Sequence, residues 1–184
     1  MRRAFVQVSL LAMLGATALY AQAQPTVVVL VRHAEKATAP ASDPPLTEAG
    51  VARAKALAAA LADAHVDAVI ATPTVRTRET ARAVADPRGL TIETVALGAR
   101  EAHVGAVADA VRKHAGQTVL VVGHSNTIPA IITALGGPKM ADLCDEQYSM
   151  IYTLVLGAGP PRLVRGTFGA PSPPSADNCG NTMR

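Results

Sequence analysis

The sequence predicts an α/β fold of three layers, with helices on both faces of a mostly parallel sheet. Three observations carry that expectation. Short Val/Ile/Leu-rich runs alternate with longer segments of helical periodicity. Two of these runs, 27–31 and 118–122, are almost wholly aliphatic, as strands buried on both faces are. No linker is long enough to separate domains, and the 184 residues suit one domain with a sizeable core.

Each element has its own signal. The run 27–31 reads as a strand, and a Pro/Ala/Ser-rich loop follows over 38–45. Thr47 is placed to cap a helix reaching about residue 65, with Val51, Ala54, Leu57, Ala58 and Leu61 on its apolar face. Residues 67–71 form a short strand. Pro73 opens a helix to about Ala85, and Asp86-Pro87 ends it. A strand is expected over 91–95 and a helix over 104–114, stopped by Gly116. The strand 118–122 comes next, then a helix over 126–135 stopped by Gly136-Gly137. Runs 150–156 and 163–168 flank Gly157-Ala158-Gly159-Pro160-Pro161, a pattern expected of an antiparallel hairpin at the sheet edge. From Gly169 the chain is rich in Pro, Ser and Gly. Residues 171–184 are expected to be a flexible tail, which leaves a domain over 24–170.

Residues 1–23 have the pattern of a secretory signal peptide. Arg2-Arg3 supply the positive end, residues 5–19 the apolar stretch, and Ala21-Gln22-Ala23 a small-residue cleavage site. The mature chain would begin at Gln24 and be periplasmic or secreted, with no stable membrane association after cleavage. Cys144 and Cys179 are the two cysteines of the sequence, and an oxidising compartment permits a disulfide between them. The formal net charge is +3, to which Arg2 and Arg3 contribute two. No basic run interleaved with aromatics remains, which argues against nucleic-acid binding.

The chemistry lies at the strand ends. The first aliphatic strand runs into Arg32-His33-Ala34-Glu35, the second into Gly123-His124-Ser125-Asn126. Ligands of open α/β sheets bind at the carboxyl ends of the strands, so parallel pairing would bring both imidazoles to one site. Phosphoryl transfer needs a nucleophile, positive charge on the equatorial oxygens and amide donors. His33 fits the nucleophile, provided one ring nitrogen is held by a hydrogen bond. Arg32 fits a planar clamp. Arg76, one turn into its helix, fits a second. His124 would donate a hydrogen bond or a positive charge, and the amides of Ser125 and Asn126 open a helix suited to an anion.

These residues resemble the histidine phosphatase superfamily, in its phosphoglycerate mutase-like branch 1. The segment Val31-Arg32-His33-Ala34-Glu35-Lys36 is similar to the Arg-His-Gly signature. Arg76-Thr77-Arg78-Glu79-Thr80-Ala81 is similar to the Arg-x-x-x-Thr-Ala segment, and Leu46-Thr47-Glu48-Ala49-Gly50 to the Leu-Thr-x-x-Gly helix start. Gly123-His124-Ser125-Asn126 resembles the second-histidine motif. The likeness spans residues 27 to about 156, with the motifs in order. It implies a phosphoglycerate mutase-like fold, a phosphate pocket of Arg32, His33, Arg76 and His124, transient phosphorylation of His33, and no metal or organic cofactor. The substrate class would be small-molecule or protein phosphates.

Ala34 stands where the family usually has glycine, a change of one methyl. The family often adds a carboxylic acid that protonates the leaving oxygen. Glu101 is the candidate, with Glu93 and Asp109 also available; Glu101 equally suits a helix-start carboxylate favoured by the macrodipole. His65, His103 and His114 lack companion motifs and read as solvated. Glu35 and Lys36 fit either a pocket rim or a solvated pair. A mutase is the nearest alternative function, but the chain lacks an insertion that would cap the site. A phosphate-binding module without turnover is the other.

Overall fold

The computed structural model describes residues 24–173. The expected signal peptide, residues 1–23, lies outside the described residues, as does Cys179. Among the described residues, six strands form one sheet in the order β3-β2-β4-β1-β5-β6. In chain order they are β1 (Thr26–Arg32), β2 (Ala68–Ala71), β3 (Ile92–Thr94), β4 (Thr118–Gly123), β5 (Met150–Leu156) and β6 (Arg162–Thr167). The helices are α1 (Glu48–Ala60), α2 (Val75–Ala85), α3 (Arg100–Lys113) and α4 (Thr127–Ala134). Strands β1 to β4 are parallel; β5 runs antiparallel beside β1, and β6 antiparallel beside β5. No described helix is long and apolar enough to cross a membrane.

Side chains alternate across a strand, and the sheet sorts them into two cores. Val28 and Leu30 of β1 pack with Val119 and Val121 of β4 under Val107, Val111, Ile128 and Ile132 of α3 and α4. Val29, Val31, Leu120 and Val122 face the other way, against Leu57 of α1 and Ala81 and Val84 of α2. Both faces of the central strands are therefore buried, and that is why these strands are continuous aliphatic runs. The three-layer fold is as the sequence predicts.

Several boundaries and faces differ from expectation. α1 stops at Ala60, five residues early. The amides of Ala62 and Ala64 bond three residues back, to Ala59 and Leu61, which tightens the chain into turns before His65 at φ 45°. α1 buries Ala54, Leu57 and Leu61 of its expected face, but Val51 is 44% exposed and Arg53 is buried in its stead. Arg53 turns inward because Glu35 takes its Nε and Nη2 at 2.7–3.0 Å and the carbonyls of Phe168 and Ala170 take Nη1. Glu35 is thus half-buried and held in an ion pair, and it lines a pocket beside Tyr148. The same bonds hold the start of the expected flexible tail. Ser172 Oγ, at 2.9 Å, accepts from the amides of Tyr148 and Ser149, so residues 171–173 are tethered; 174–184 lie outside the described residues.

α2 begins at Val75, two residues after Pro73. Its cap comes from a distant loop: Asp43 accepts from the Val75 amide at 3.0 and 3.1 Å. A single 3-10 turn, Asp86–Arg88, extends the end where Asp86-Pro87 was expected to stop it. α3 begins at Arg100, four residues before the expected start, and Ala99 at its head supplies no side-chain cap that the sequence could signal. α4 ends as expected. Gly136 at φ 86° and Gly137 donate back to Thr133 and Ile132 at 3.0 and 2.9 Å.

Thr47 caps α1, its Oγ1 accepting from the Gly50 amide at 3.1 Å. Gly50 in turn packs directly on the Glu35 carbonyl, where a Cβ would collide with backbone. Gly50→Ala should therefore lower stability by about 2–3 kcal/mol, near the top of the range for overpacking. Gly105 lies inside α3 with open space around its Cβ position, so Gly105→Ala should raise stability by about 0.5–1 kcal/mol. Urea midpoints at unchanged slope check both.

Candidate active site

β1 and β4 run side by side in register, Val31 opposite Val122 and Arg32 opposite Gly123. The His33 amide continues the ladder, donating to the Gly123 carbonyl at 2.9 Å. The two histidines therefore leave the sheet at the same end, with ring centroids 5.4 Å apart and ring planes at 68°.

His33 is 3% exposed. Its Nδ1 lies 2.8 Å from the Ala34 carbonyl. A carbonyl only accepts, so Nδ1 carries the proton and the Nε2 lone pair is left free. The Ala34 backbone is itself held, its amide donating to Thr80 Oγ1 at 3.0 Å. Burial pushes the His33 pKa down to about 3; the Ala34 hydrogen bond opposes this, and Arg32, His124 and Arg76 add to it. His124 is lowered to about 4, first by burial, then by Arg76, His103 and Arg32. Both imidazoles are neutral near pH 7, so His124 offers a hydrogen bond and not a positive charge. Thr72 Oγ1 lies 3.1 Å from His124 Nε2 and 2.8 Å from Thr77 Oγ1, which fixes the second ring.

Arg32 departs from the simple fork. Its Nη1 donates to the carbonyls of Cys144 and Asp145, both at 2.8 Å, and its guanidinium stacks 4.1 Å over the Tyr148 ring. That end of the group is taken up in holding the loop before β5. Its Nε is buried without a partner among the described residues. Arg76 shows the same pattern: Nη1 lies 3.4 Å from Asp43 Oδ1, and Nε is buried and unpartnered. Arg76 lowers the proton affinity of Arg32, His33 and His124 alike, so the four groups lie within electrostatic reach. Two unpaired cationic donors beside a free imidazole lone pair fit an anion, which would remove the cost of leaving them unmade.

Beyond Arg76 and His124 opens a cavity of about 320 Å³, lined also by Leu97, Gly98, Arg100, His103, Asn126 and Thr127. Arg100 bonds the Asn126 carbonyl and Asp142, each at 2.7 Å. Ser125 does not line this cavity; its carbonyl accepts from Leu143 at 3.0 Å. Glu101 is exposed on α3 and absent from the lining; Arg100 and His103 take the inward positions on that turn. Asp109 pairs with Arg112 at the surface and Glu93 with His114 at 3.3 Å, so neither stands in for Glu101. His103 is not the solvated residue expected: it is 4% exposed. Among the described residues no His/Cys/Asp/Glu group is placed to hold a metal.

Residues 28–107 match the family model of the histidine phosphatase superfamily (branch 1). Over those 80 of its 184 residues the chain resembles that superfamily. Solved structures of similar fold include the protein histidine phosphatase SixA in complex with tungstate. That chain is 20% identical, with TM-score 0.60 over 77% of this chain and 96% of the other. A protein of Agrobacterium tumefaciens, provisionally named phosphohistidine phosphatase SixA, is 27% identical, with TM-score 0.56 over 79% and 98%. A provisional alpha-ribazole-5'-P phosphatase of Escherichia coli K-12 is 16% identical, with TM-score 0.60 over 83% and 100%. No curated protein matches the chain in sequence.

The sequence motifs did not single out Tyr148, Asp43, Thr72 or His103. Asp43 and Tyr148 sit in loops without regular pattern. His103 would have stood out had α3 been started at Arg100, since 100, 103 and 107 share one helix face.

Cys144 is disulfide-bonded; Cys179, its expected partner, lies outside the described residues. Cys144 lies in the loop whose carbonyls hold Arg32.

The depressed histidines set the acid sensitivity of the fold. The unfolded chain protonates both near pH 6.5, and the folded protein only near 3 and 4. Between these limits the unfolded chain binds more protons, so stability falls as pH falls below about 6.5. Urea unfolding should show lower stability at pH 5 than at pH 7.5. A His33→Gln/His124→Gln double variant should flatten that slope; an equally steep slope in the variant would contradict neutral histidines.

Proposed function

We propose that the mature chain is an exported phosphatase that hydrolyses phosphomonoesters through a phosphohistidine at His33. The observation that carries this reading is the His33 ring: Nδ1–H tied to the Ala34 carbonyl and Nε2 left with its lone pair free. The buried, unpaired Nε groups of Arg32 and Arg76 support it as donors for phosphoryl oxygens.

In the first step the Nε2 lone pair attacks phosphorus and the P–O ester bond breaks, its electron pair leaving with the oxygen. In the second, water attacks phosphorus and the P–N bond breaks, returning its pair to Nε2 and releasing inorganic phosphate. The Ala34 carbonyl stabilises the charge on the ring while Nε2 is phosphorylated. Arg32 and Arg76 balance charge spread over the equatorial oxygens. His124 adds a hydrogen bond.

Export is supported by the sequence pattern of residues 1–23 and by the disulfide at Cys144, a bond favoured outside the cytosol. A cavity of about 320 Å³ suits a small phosphate ester more than a protein side chain with its flanking backbone. Water reaches such an uncapped site, which favours hydrolysis over transfer to a retained acceptor.

His33→Ala should abolish phosphate release from nitrophenyl phosphate, and rapid quench of the wild type should trap an acid-labile, base-stable phosphate adduct. Arg76→Ala should slow aryl and alkyl phosphates alike, by about 10²-fold, because it acts on the phosphoryl group whatever leaves. Full turnover by His33→Ala rules the mechanism out.

A further inference from the structure

The site as described has a nucleophile and an anion clamp but no proton donor for the leaving oxygen. Glu101, the carboxylate the sequence offered for that role, is turned to solvent. Two imidazoles line the cavity, His124 and His103, and the second has no role yet in the site. His103 is 96% buried by its 4% exposure and lines the cavity with Arg76 and His124. Its Nδ1 lies 2.9 Å from the Ala96 carbonyl. That carbonyl can only accept, so Nδ1 bears a hydrogen in every protonation state of the ring. The other nitrogen, Nε2, is buried and has no partner among the described residues. A buried polar atom without a partner carries a cost that a ligand atom can relieve.

The position of the cavity gives that ligand atom a role. In-line displacement puts the leaving oxygen opposite the nucleophile. His33 does not line the cavity, whereas Arg76 and His124 do. A phosphoryl group held between the arginines would therefore point its ester oxygen away from His33, toward the cavity and His103.

Resting on the phosphatase reading above, we propose that His103 is the catalytic acid and base of this site. In the first step His103 Nε2–H gives its proton to the departing ester oxygen as the P–O bond breaks, releasing a neutral alcohol and leaving Nε2 unprotonated. In the second, Nε2 takes a proton from the water that attacks the phosphohistidine, and His103 returns to its starting state. The Ala96 carbonyl accepts from Nδ1 throughout, so the ring keeps one orientation as it gains and loses the proton. The groups that face it are Arg76 from α2, Arg100 from α3 and His124 from the end of β4, with Asp142 paired to Arg100.

The test compares two leaving groups. An alkoxide leaves poorly and needs a proton in the transition state, whereas nitrophenolate does not, and a positioned acid contributes about 10²–10⁴-fold. His103→Gln should slow glycerol 2-phosphate on the order of 10²-fold while nitrophenyl phosphate changes by no more than a few-fold. In the wild type, kcat/KM for glycerol 2-phosphate should fall on a basic limb that nitrophenyl phosphate lacks. This second measurement needs no variant and stands even where His103→Gln misfolds. Equal slowing of both esters by a folded His103→Gln, no slowing of either, or matching pH profiles would overturn the proposal. So would a selective alkyl-phosphate loss in Glu101→Gln in place of His103→Gln. Phosphate release that requires His33 but is indifferent to His103 removes this proposal alone; a wild type that releases no phosphate from either ester removes the phosphatase reading with it.

Discussion

The parallel pairing of β1 with β4 is the contact on which the site depends. It sets Arg32 opposite Gly123 and lets the His33 amide donate to the Gly123 carbonyl, so two residues ninety-one positions apart leave the sheet together. A slip of one residue would send each side chain to the other face. It would also break the two cores, because Val28 and Leu30 serve one helix layer and Val29 and Val31 the other. The burial that stabilises the sheet therefore also fixes the distance between the histidines. Gly123 contributes at the same point: a Cβ there would meet Ile128 Cδ1 at 2.9 Å and Thr127 Oγ1 at 3.0 Å, so its absence lets α4 begin close against the strand end.

A pocket of this kind must keep positive charge out of water without an anion always present. The protein does so by giving each arginine a partial set of partners. Arg32 is compensated by two backbone carbonyls and the face of Tyr148, and Arg76 by Asp43, while one Nε on each is left unpaired. The histidines respond in the opposite sense. Buried beside two guanidiniums, they give up their protons, so the nucleophile has its lone pair without any separate base.

The scaffold around the pocket is tied by polar contacts that bridge distant segments. Arg53 joins Glu35, two residues past the nucleophile, to the carbonyls of Phe168 and Ala170 near the end of the described chain. The disulfide-bonded Cys144 lies in the loop that carries Tyr148 and the carbonyls of Cys144 and Asp145. Both features lie at the catalytic end of the sheet.

The sequence by itself determined the layered fold, the strand pair and the residues at its end. Aliphatic runs mark doubly buried strands, and the short motifs at Arg32-His33, Arg76 and His124 are local in the chain. It also determined α1's cap at Thr47 and the glycine stop of α4, since both are read from a few adjacent residues. The tertiary structure alone decided what depends on distant partners. Asp43 caps α2 and meets Arg76 across more than thirty residues. Arg53 turns inward only because Glu35 and two far carbonyls await it. α3 starts at Arg100 without a capping side chain, and that hidden turn is what buries His103 in the cavity and leaves Glu101 in solvent. Local propensity speaks for neighbours in sequence; a buried donor's partner is chosen by the packing of the whole sheet.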